Sequence, residues 1–574
     1  MFNSLLFFVL TFIFLGCSSP SHRHLDFEAW ERTPQCCSKS GKSIAIASGG
    51  TFSSKAGLEI AKNGGNITDV VIATAFALAV ERPHSLGLGG GGFLTLSLVG
   101  KAPVHAFVDF RETAPLQASR EMYLDSNGEV IPRLSSRGIL SVATPGFVPG
   151  LYAIHKKWGK LSWKSLLQPA IRLAREGFPI YYSLAKSIEE EKEELRKDPY
   201  TESLLFQNQK PLQIKQILVQ KDLSHTLERI AENPETDFKS GKTAQLIDSF
   251  VRKKGGLLTL TDLKRYRPVF RSPLFISWKG MNILSAPPPS AGGVMLTEML
   301  NMLSKDKLSL MDDNSYLHLL AEVMKRAYAD RSRFIGDPDF VQQDIRPLLT
   351  EQYGHAQRNS ISMERATPST EIVPGALLPK RGKHTTHLSV IDSDGNGAAM
   401  TLTINDHFGS RLAVPGTGIF LNDEMDDFSS KPGAPNVFGL IGDEANSIQP
   451  LKRPASSMSP TLVIKNGRTI LAVGAAGGSK ITSNVFEVIL NVFERFPGDL
   501  KKSIFQPRIH HQWLPDQLQI EPGFAPEVLE ALKSKGHIVL ETKKAAIVQA
   551  VFSNAQGELR AVYDPRDEGG AESQ

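Results

Sequence analysis

The stretch KRGKHTTHLSVIDSDGNGAAMTLTIND, residues 380–406, passes abruptly from a basic, hydrophilic run into two alternating segments joined by turn residues. From Thr386 the side chains divide between two faces, with Thr386, Leu388 and Val390 on one and Thr385, His387 and Ser389 on the other. That alternation predicts a half-buried strand. DSDGNG, from Asp392 to Gly397, supplies residues suited to a tight turn, and AAMTLTIN alternates again as the return strand. With the turn centred near Asp394 and Gly395, antiparallel pairing sets Thr385 opposite the span from Thr403 to Asn405. A hydroxyl and an amide then flank Thr385 across the hairpin.

Taken alone, Thr385 is an ordinary β-branched residue at a strand start. It gains chemistry if the bond before it is cut. A threonine hydroxyl is a weak nucleophile without a base beside it. A freed α-amine, with a reference pKa of about 8 against about 10.4 for lysine, is partly neutral near neutral pH and can take the hydroxyl proton. Cleavage between His384 and Thr385 would create nucleophile and base together.

The chain around this hairpin has 574 residues, 41% of them hydrophobic and 22% charged, with a net charge of +5. Such a composition predicts a folded, enzyme-sized body, and the small charge without an arginine-rich tract or nucleic-acid motif argues against nucleic acid as a partner. The N-terminus, MFNSLLFFVLTFIFLGCSSPSH, carries an apolar run from Leu5 to Leu15 that is short for a bilayer span and reads as a signal peptide over residues 1–16, hence export. Gly16, Cys17 and Ser18 resemble a bacterial lipoprotein cleavage box in which Cys17 would be lipidated and anchor a periplasmic protein to a membrane; cleavage elsewhere, with Cys17 unmodified, is the alternative. Cys36 and Cys37 are the remaining cysteines. They allow no disulfide framework or cysteine metal site, and residues 17–40 read as an unstructured linker.

Downstream, SIAIASGG predicts a strand, residues 54–63 a helix, and Asn66 a helix cap ahead of an apolar helix through Val80. Helices dominate to about Arg365, residues 366–383 read as a mobile polar connector, and strands return after Thr385. Several tempting motifs fail on context. GLGGGG at Gly87 to Gly92 follows a helix and precedes a strand, the reverse of a dinucleotide site, and reads as close backbone packing. His384 and His387 fall on opposite faces of a strand and read as solvent-facing, while His510 and His511 read as packing or hydrogen-bonding residues. There is no GxSxG elbow in a strand-to-helix context.

Four further stretches join the threonine: VDFRETAP with Arg111, LNDEMDDFSSKPG with Glu424 and Asp427, KRPASSMSP with Ser456 and Ser457, and GAAGGSK with Gly477 and Gly478. With LGGGGF, PPPSAGG, AYADRSRFIGDPDF and HHQWLPD, they make the sequence resemble the γ-glutamyltranspeptidases from about Ile44 to the C-terminus. These are N-terminal-nucleophile enzymes that cut themselves into two subunits and act on glutathione and related γ-glutamyl compounds.

The resemblance implies an α+β fold, the four-layer αββα sandwich, built as one body from a large subunit (41–384) and a small one (385–574). It implies Thr385 as nucleophile for self-cleavage after His384 and for attack on the γ-glutamyl amide, Thr403 as its supporting hydroxyl, and the N–H groups of Gly477 and Gly478 as the oxyanion site. Arg111, Ser456 and Ser457 would hold the substrate α-carboxylate; Asn405, Glu424 and Asp427 would hold its α-ammonium. Water or an acceptor amino acid or peptide would resolve the acyl-enzyme, with no metal or organic cofactor. The sequence departs from the family pattern at Ala475 and Ala476, where Ser and Pro are usual, at Phe438 in the lid region, where tyrosine is common, and at Glu424, where some members carry glutamine. A related acylase with different acyl specificity and an unprocessed binding protein are the alternatives.

Overall fold

A computed structural model of the protein describes residues 37–342, 344–372, 385–431, 444–542 and 544–574. In chain order the strands of the two main sheets are β1 (Ser38–Gly41), β2 (Ile44–Ser48), β3 (Gly91–Leu98), β4 (Val104–Phe110), β5 (Val269–Arg271), β6 (Leu274–Trp278), β7 (Met281–Ser285), β8 (Thr386–Asp392), β9 (Gly397–Thr403), β10 (Thr461–Lys465), β11 (Arg468–Ala476), β12 (Ile547–Ser553), β13 (Leu559–Tyr563) and β14 (Gly570–Ser573). One seven-stranded sheet has the order β14-β2-β8-β9-β3-β4-β5 and the other β1-β13-β12-β11-β10-β7-β6. Neighbouring strands in both are antiparallel.

Helices cover both outer faces. Helices α1 (Thr51–Lys62) and α2 (Ile67–Glu81) pack on the first sheet, where Val70, Phe76 and Leu78 share one apolar core with Leu388, Val390, Met400 and Leu402. Asn66 caps α2 as expected: its Oδ1 accepts from Asp69 N (3.0 Å) and its own N–H donates to Asp69 Oδ2 (3.1 Å). On the other side α3 (Gly292–Met302), α4 (Asp313–Phe334) and α5 (Lys480–Leu490) bury Met295, Leu320 and Val485 against Ile283, Val463 and Val473. Between the sheets the core is thin and rich in small side chains, among them Ala45, Ala47, Ala399, Ala472 and Ala561. The layers are therefore helix, sheet, sheet, helix, as the sequence led us to expect.

The central hairpin keeps its predicted register: Thr386 faces Leu402 and Leu388 faces Met400, so the next pair outward sets Thr385 against Thr403. Asp392 Oδ1 accepts from Asp394 N (3.1 Å) and Asn396 N (3.0 Å), and Gly395 turns the chain with φ +85°. The half-buried expectation is corrected, because β8 is sealed on both faces from Thr386 to Ile391. One face meets α2 and the other meets the second sheet.

His387, expected at the surface, lies between the sheets. Its Nδ1 hydrogen-bonds with Thr401 Oγ1 (2.8 Å) and its Nε2 with Ser389 Oγ (3.0 Å). Ser389 donates its own proton to Gln549 O (3.1 Å), so it accepts from Nε2–H, which fixes the tautomer. The ring occupies the space over Gly474, where any Cβ would stand 2.3 Å from it. Burial depresses the imidazole to about 3.

Two boundaries also move. The linker expected over 17–40 ends early, since Cys37 is buried in the outer-layer core and β1 pairs with β13 from Ser38. SKSG has no apolar alternation to announce an edge strand. The connector expected over 366–383 is tied down at its start: Ala366 N donates to Lys535 O (2.7 Å), Thr367 N to Glu322 Oε1 (3.1 Å) and Ser369 Oγ to Trp513 O (2.6 Å). Its remainder lies outside the described residues. The glycine run packs closely, as expected; a Cβ on Gly90 would stand 2.0 Å from Thr403 O.

The buried imidazole makes a pH prediction. His387 titrates at about 3 when folded, against an ordinary value of about 6.5, so between these limits the unfolded chain binds the extra proton and stability falls as pH falls. Denaturant unfolding of His387→Gln should show a shallower loss of stability over that window, by up to about 1.4 kcal/mol per pH unit. An unchanged slope would contradict the neutral, buried assignment.

Candidate active site

The hairpin mouth opens on a cavity. Thr385, 8% exposed, reaches it from the head of β8, and Thr403 and Asn405 reach it from the end of β9. Asn405 has a left-handed backbone (φ +77°), which asparagine tolerates. Its N–H donates to Thr403 Oγ1 (2.8 Å) and its Nδ2 to Asp423 O (3.0 Å). Thr403 thus accepts from the backbone through its side-chain oxygen.

Opposite them, Arg111 follows directly on β4. Its guanidinium donates to the backbone oxygens of Pro454 (3.5 Å) and Ala455 (3.2 Å) and forms ion pairs with the carboxylates of Glu424 and Asp427. Those two acids sit on one 3₁₀ turn, Glu424–Asp427, whose three-residue period aligns positions three apart on one side. Glu424 N is held by Asn422 Oδ1 (3.0 Å), and Asn422 Nδ2 in turn donates to Gly89 O (2.7 Å) and Ala143 O (2.9 Å). The glycine run and the acidic turn are therefore anchored to each other.

Burial alone would depress the Arg111 guanidinium, but Glu424, Asp427 and Glu112 together raise it, so it is a fixed cation. Burial raises the Glu424 carboxyl well above its ordinary range against the pull of Arg111, and one of its oxygens, Oε2, has no hydrogen-bond partner. Beneath them Glu112 is pushed up to about 8 by burial, with Arg111 opposing. The polar wall is completed by Ser456, whose Oγ accepts from Met458 N (3.1 Å), and Ser457, whose buried Oγ has no partner.

The third wall is the N-terminus of α5. Gly477 (φ +151°) and Gly478 (φ +58°) adopt backbone angles that side chains rarely tolerate. Gly478 lines the cavity, whereas Gly477 backs onto Ala546, whose Cβ would lie 2.7 Å from a Cβ at 477. A helix terminus with exposed N–H groups favours negative charge in front of it.

Of the residues singled out in the sequence, the cavity thus brings together Thr385, Thr403, Asn405, Arg111, Glu424, Asp427, Ser456, Ser457 and Gly478. Gly477 adjoins it. His384, Phe438 and Cys17 lie outside the described residues. Besides the apolar lining of Ala455, Met458 and Ile481, one charged cavity residue was missed: Arg331, in the last turn of α4. It stands within the quoted AYADRSRFIGDPDF, but nothing in a helical arginine announces which way it points.

Chemically, one end of the cavity holds a hydroxyl beside a helix terminus, as addition to a carbonyl requires. The other end holds a buried guanidinium, two carboxylates and two serines, complementary to a group carrying both an ammonium and a carboxylate. Two stacked antiparallel sheets between helices, with a threonine heading a central strand at such a cavity, define an N-terminal-nucleophile hydrolase.

The chain belongs to the gamma-glutamyltranspeptidase family, whose model matches residues 53–573. It is 39% identical over 524 residues to the glutathione hydrolase proenzyme of Escherichia coli (strain K12), covering 91% of this chain and 90% of that protein. It is 38% identical over 540 residues to the glutathione hydrolase proenzyme of Pseudomonas aeruginosa, covering 92% and 93%. Among solved structures it is similar to cephalosporin acylase from Bacillus halodurans, with a TM-score of 0.81 and 27% identity over 98% of this chain and 99% of that one. It is also similar to a chain of Helicobacter pylori gamma-glutamyltranspeptidase, with a TM-score of 0.54 and 36% identity over 56% of this chain and 93% of that one.

The ion-pair geometry makes a stability prediction. Arg111→Met leaves two buried carboxylates without their cation and should lower unfolding stability by about 3–5 kcal/mol. Adding Glu424→Gln should recover part of that loss in a double-mutant cycle followed by denaturant unfolding. Strictly additive losses would contradict direct coupling of the pair.

Proposed function

We propose that this protein is a self-processing γ-glutamyltransferase and glutathione hydrolase that uses Thr385 as its nucleophile. The observation that carries the reading is the shared cavity: the Thr385 side chain and a charge set complementary to a zwitterionic glutamyl head group line the same walls.

Cutting the bond between His384 and Thr385 frees the α-amine of Thr385. That amine takes the hydroxyl proton as Oγ1 adds to the γ-amide carbonyl. The N–H groups of Gly477 and Gly478 face the oxyanion, where losing one such donor typically costs about 10² to 10³ in rate. Thr403 donates to Oγ1. Collapse expels the amine, which carries away the proton, and leaves a γ-glutamyl ester on Thr385. Water resolves the ester in hydrolysis; an amino acid or peptide amine resolves it in transfer.

Arg111, Ser456 and Ser457 receive the α-carboxylate, and Glu424, Asp427 and Asn405 the α-ammonium. In the described state Arg111 and the two acids satisfy each other. A bound donor exchanges those contacts for its own, so its charges meet partners already desolvated.

Strand order supports a chain that is cut without separating. Both main sheets mix strands from before residue 384 with strands that follow it, and β8 is hydrogen-bonded between β2 and β9. The large (41–384) and small (385–574) fragments would remain one body. The apolar run from Leu5 to Leu15 supports export to the periplasm, with Cys17 the position at which a lipid would attach.

Release of nitroaniline from γ-glutamyl and glutaryl anilides tests the reading. The γ-glutamyl compound should be preferred by at least about 10²-fold, because a glutaryl group leaves the buried acids unanswered. Thr385→Ala should abolish release. Equal or faster turnover of the glutaryl compound would put the related acylase in its place. Glu424→Gln should raise KM for the γ-glutamyl donor by about tenfold and shift its pH dependence, through loss of a charged contact; unchanged kinetics would remove Glu424 from the ammonium site.

A further inference from the structure

Arg331 is a second cation in the cavity, and nothing in the reaction described above uses it. Its residue is 8% exposed, its side chain lines the cavity, and its Nε is buried without a hydrogen-bond partner. Among the described residues no hydrogen bond or ion pair holds its guanidinium.

The neighbouring acidic and phenolic groups are engaged elsewhere. Asp427 is ion-paired with Arg111 and acts on Arg331 only through space. Tyr328, one turn back on α4, donates its hydroxyl to Ser479 O. The adjacent Asp330 accepts from Tyr353 Oη (2.5 Å) and lies beside Glu298 rather than Arg331. Burial depresses the Arg331 guanidinium, with Tyr328 and Asp427 opposing.

A buried cation without a partner is a strained arrangement, since desolvating an ion is costly unless another charge or a set of acceptors answers it. Arg111 differs in kind: its N–H groups are already committed to two carboxylates and two backbone oxygens. Arg331 has its donors to offer. A second unanswered donor lines the same cavity, the buried Oγ of Ser457. A planar guanidinium fork and a hydroxyl, with no committed acceptor between them, match a carboxylate.

We propose that Arg331 is a further carboxylate-binding residue of the active-site cavity, beside the Ser457 already assigned to the α-carboxylate, and is answered by a carboxylate of the substrate. Two groups of the same chemistry qualify: the α-carboxylate of the γ-glutamyl donor, shared with Arg111, and the carboxylate of the amine that leaves or accepts. The identity of the substrate rests on the function proposed above.

The test compares Arg331→Met and Arg331→Lys with wild type in the full-length, processed protein, using a γ-glutamyl anilide, whose leaving amine has no carboxylate, and glutathione, whose leaving dipeptide has one. Arg331→Met should raise KM about tenfold to hundredfold, the range of a charged hydrogen bond, with kcat within about threefold. Arg331→Lys should recover part of the affinity. The melting temperature of the ligand-free Met variant should be equal to or above that of wild type, because the unanswered cation is gone. A rise in KM for both substrates assigns the α-carboxylate; a rise for glutathione alone assigns the amine partner. KM unchanged for both, or kcat falling with KM unchanged, overturns the proposal. If wild type turns over neither substrate, the γ-glutamyl reading fails by itself, and calorimetric titration with L-glutamate judges the subsite. Affinity lost in Arg331→Met then supports it, and equal affinity overturns it.

Discussion

The register of β8 against β9, with Thr386 facing Leu402, is the constraint on which the rest depends. It sets Thr385 against Thr403 and fixes which side chains of β8 face α2 and which face the second sheet. A slip of one residue would turn Leu388 and Val390 toward the inter-sheet space and His387 into the apolar helix layer. The polar contacts of His387 with Thr401 and Ser389, and the bare backbone of Gly474 above its ring, fit one register only. The imidazole is thus a key between the sheets, and its neutrality is the condition of its burial.

Around that strand the site is assembled from segments far apart in sequence. Arg111 comes from the end of β4, the acids from a turn after β9, the serines from the approach to β10 and the glycines from the start of α5. Both sides of the 384–385 bond contribute, and both contribute strands to each of the two seven-stranded sheets. This interleaving explains how a chain could be broken at its catalytic residue without losing the walls of its cavity. Within those walls one guanidinium pairs with two buried acids until a zwitterion replaces those contacts.

Much of this was legible in the sequence because it depends on local pattern. The hairpin could be read from period-two alternation around DSDGNG, the cap of α2 from Asn66, and the close packing of the glycine run from its helix-before-strand context. What escaped depends on tertiary placement. The alternation of β8 looked half-buried because Thr385, His387 and Ser389 are polar, yet a polar face can be sealed when its hydrogen bonds close internally. β1 carries no apolar signal because an edge strand is defined by its partner. The docking of residues 366–372 follows from contacts with Glu322 and Trp513 that no local rule foresees. Arg331 was invisible for the same reason: helical position says little about whether a cation finds a counter-ion.

The central claim is that Thr385 becomes the first residue of a new chain. Intact mass and N-terminal sequencing of the purified wild-type protein, beside Thr385→Ala, test it most directly. The account predicts two fragments in wild type, the smaller beginning at Thr385, and one uncut chain in the variant. A single uncut and inactive wild-type chain, or a new N-terminus elsewhere, would contradict it.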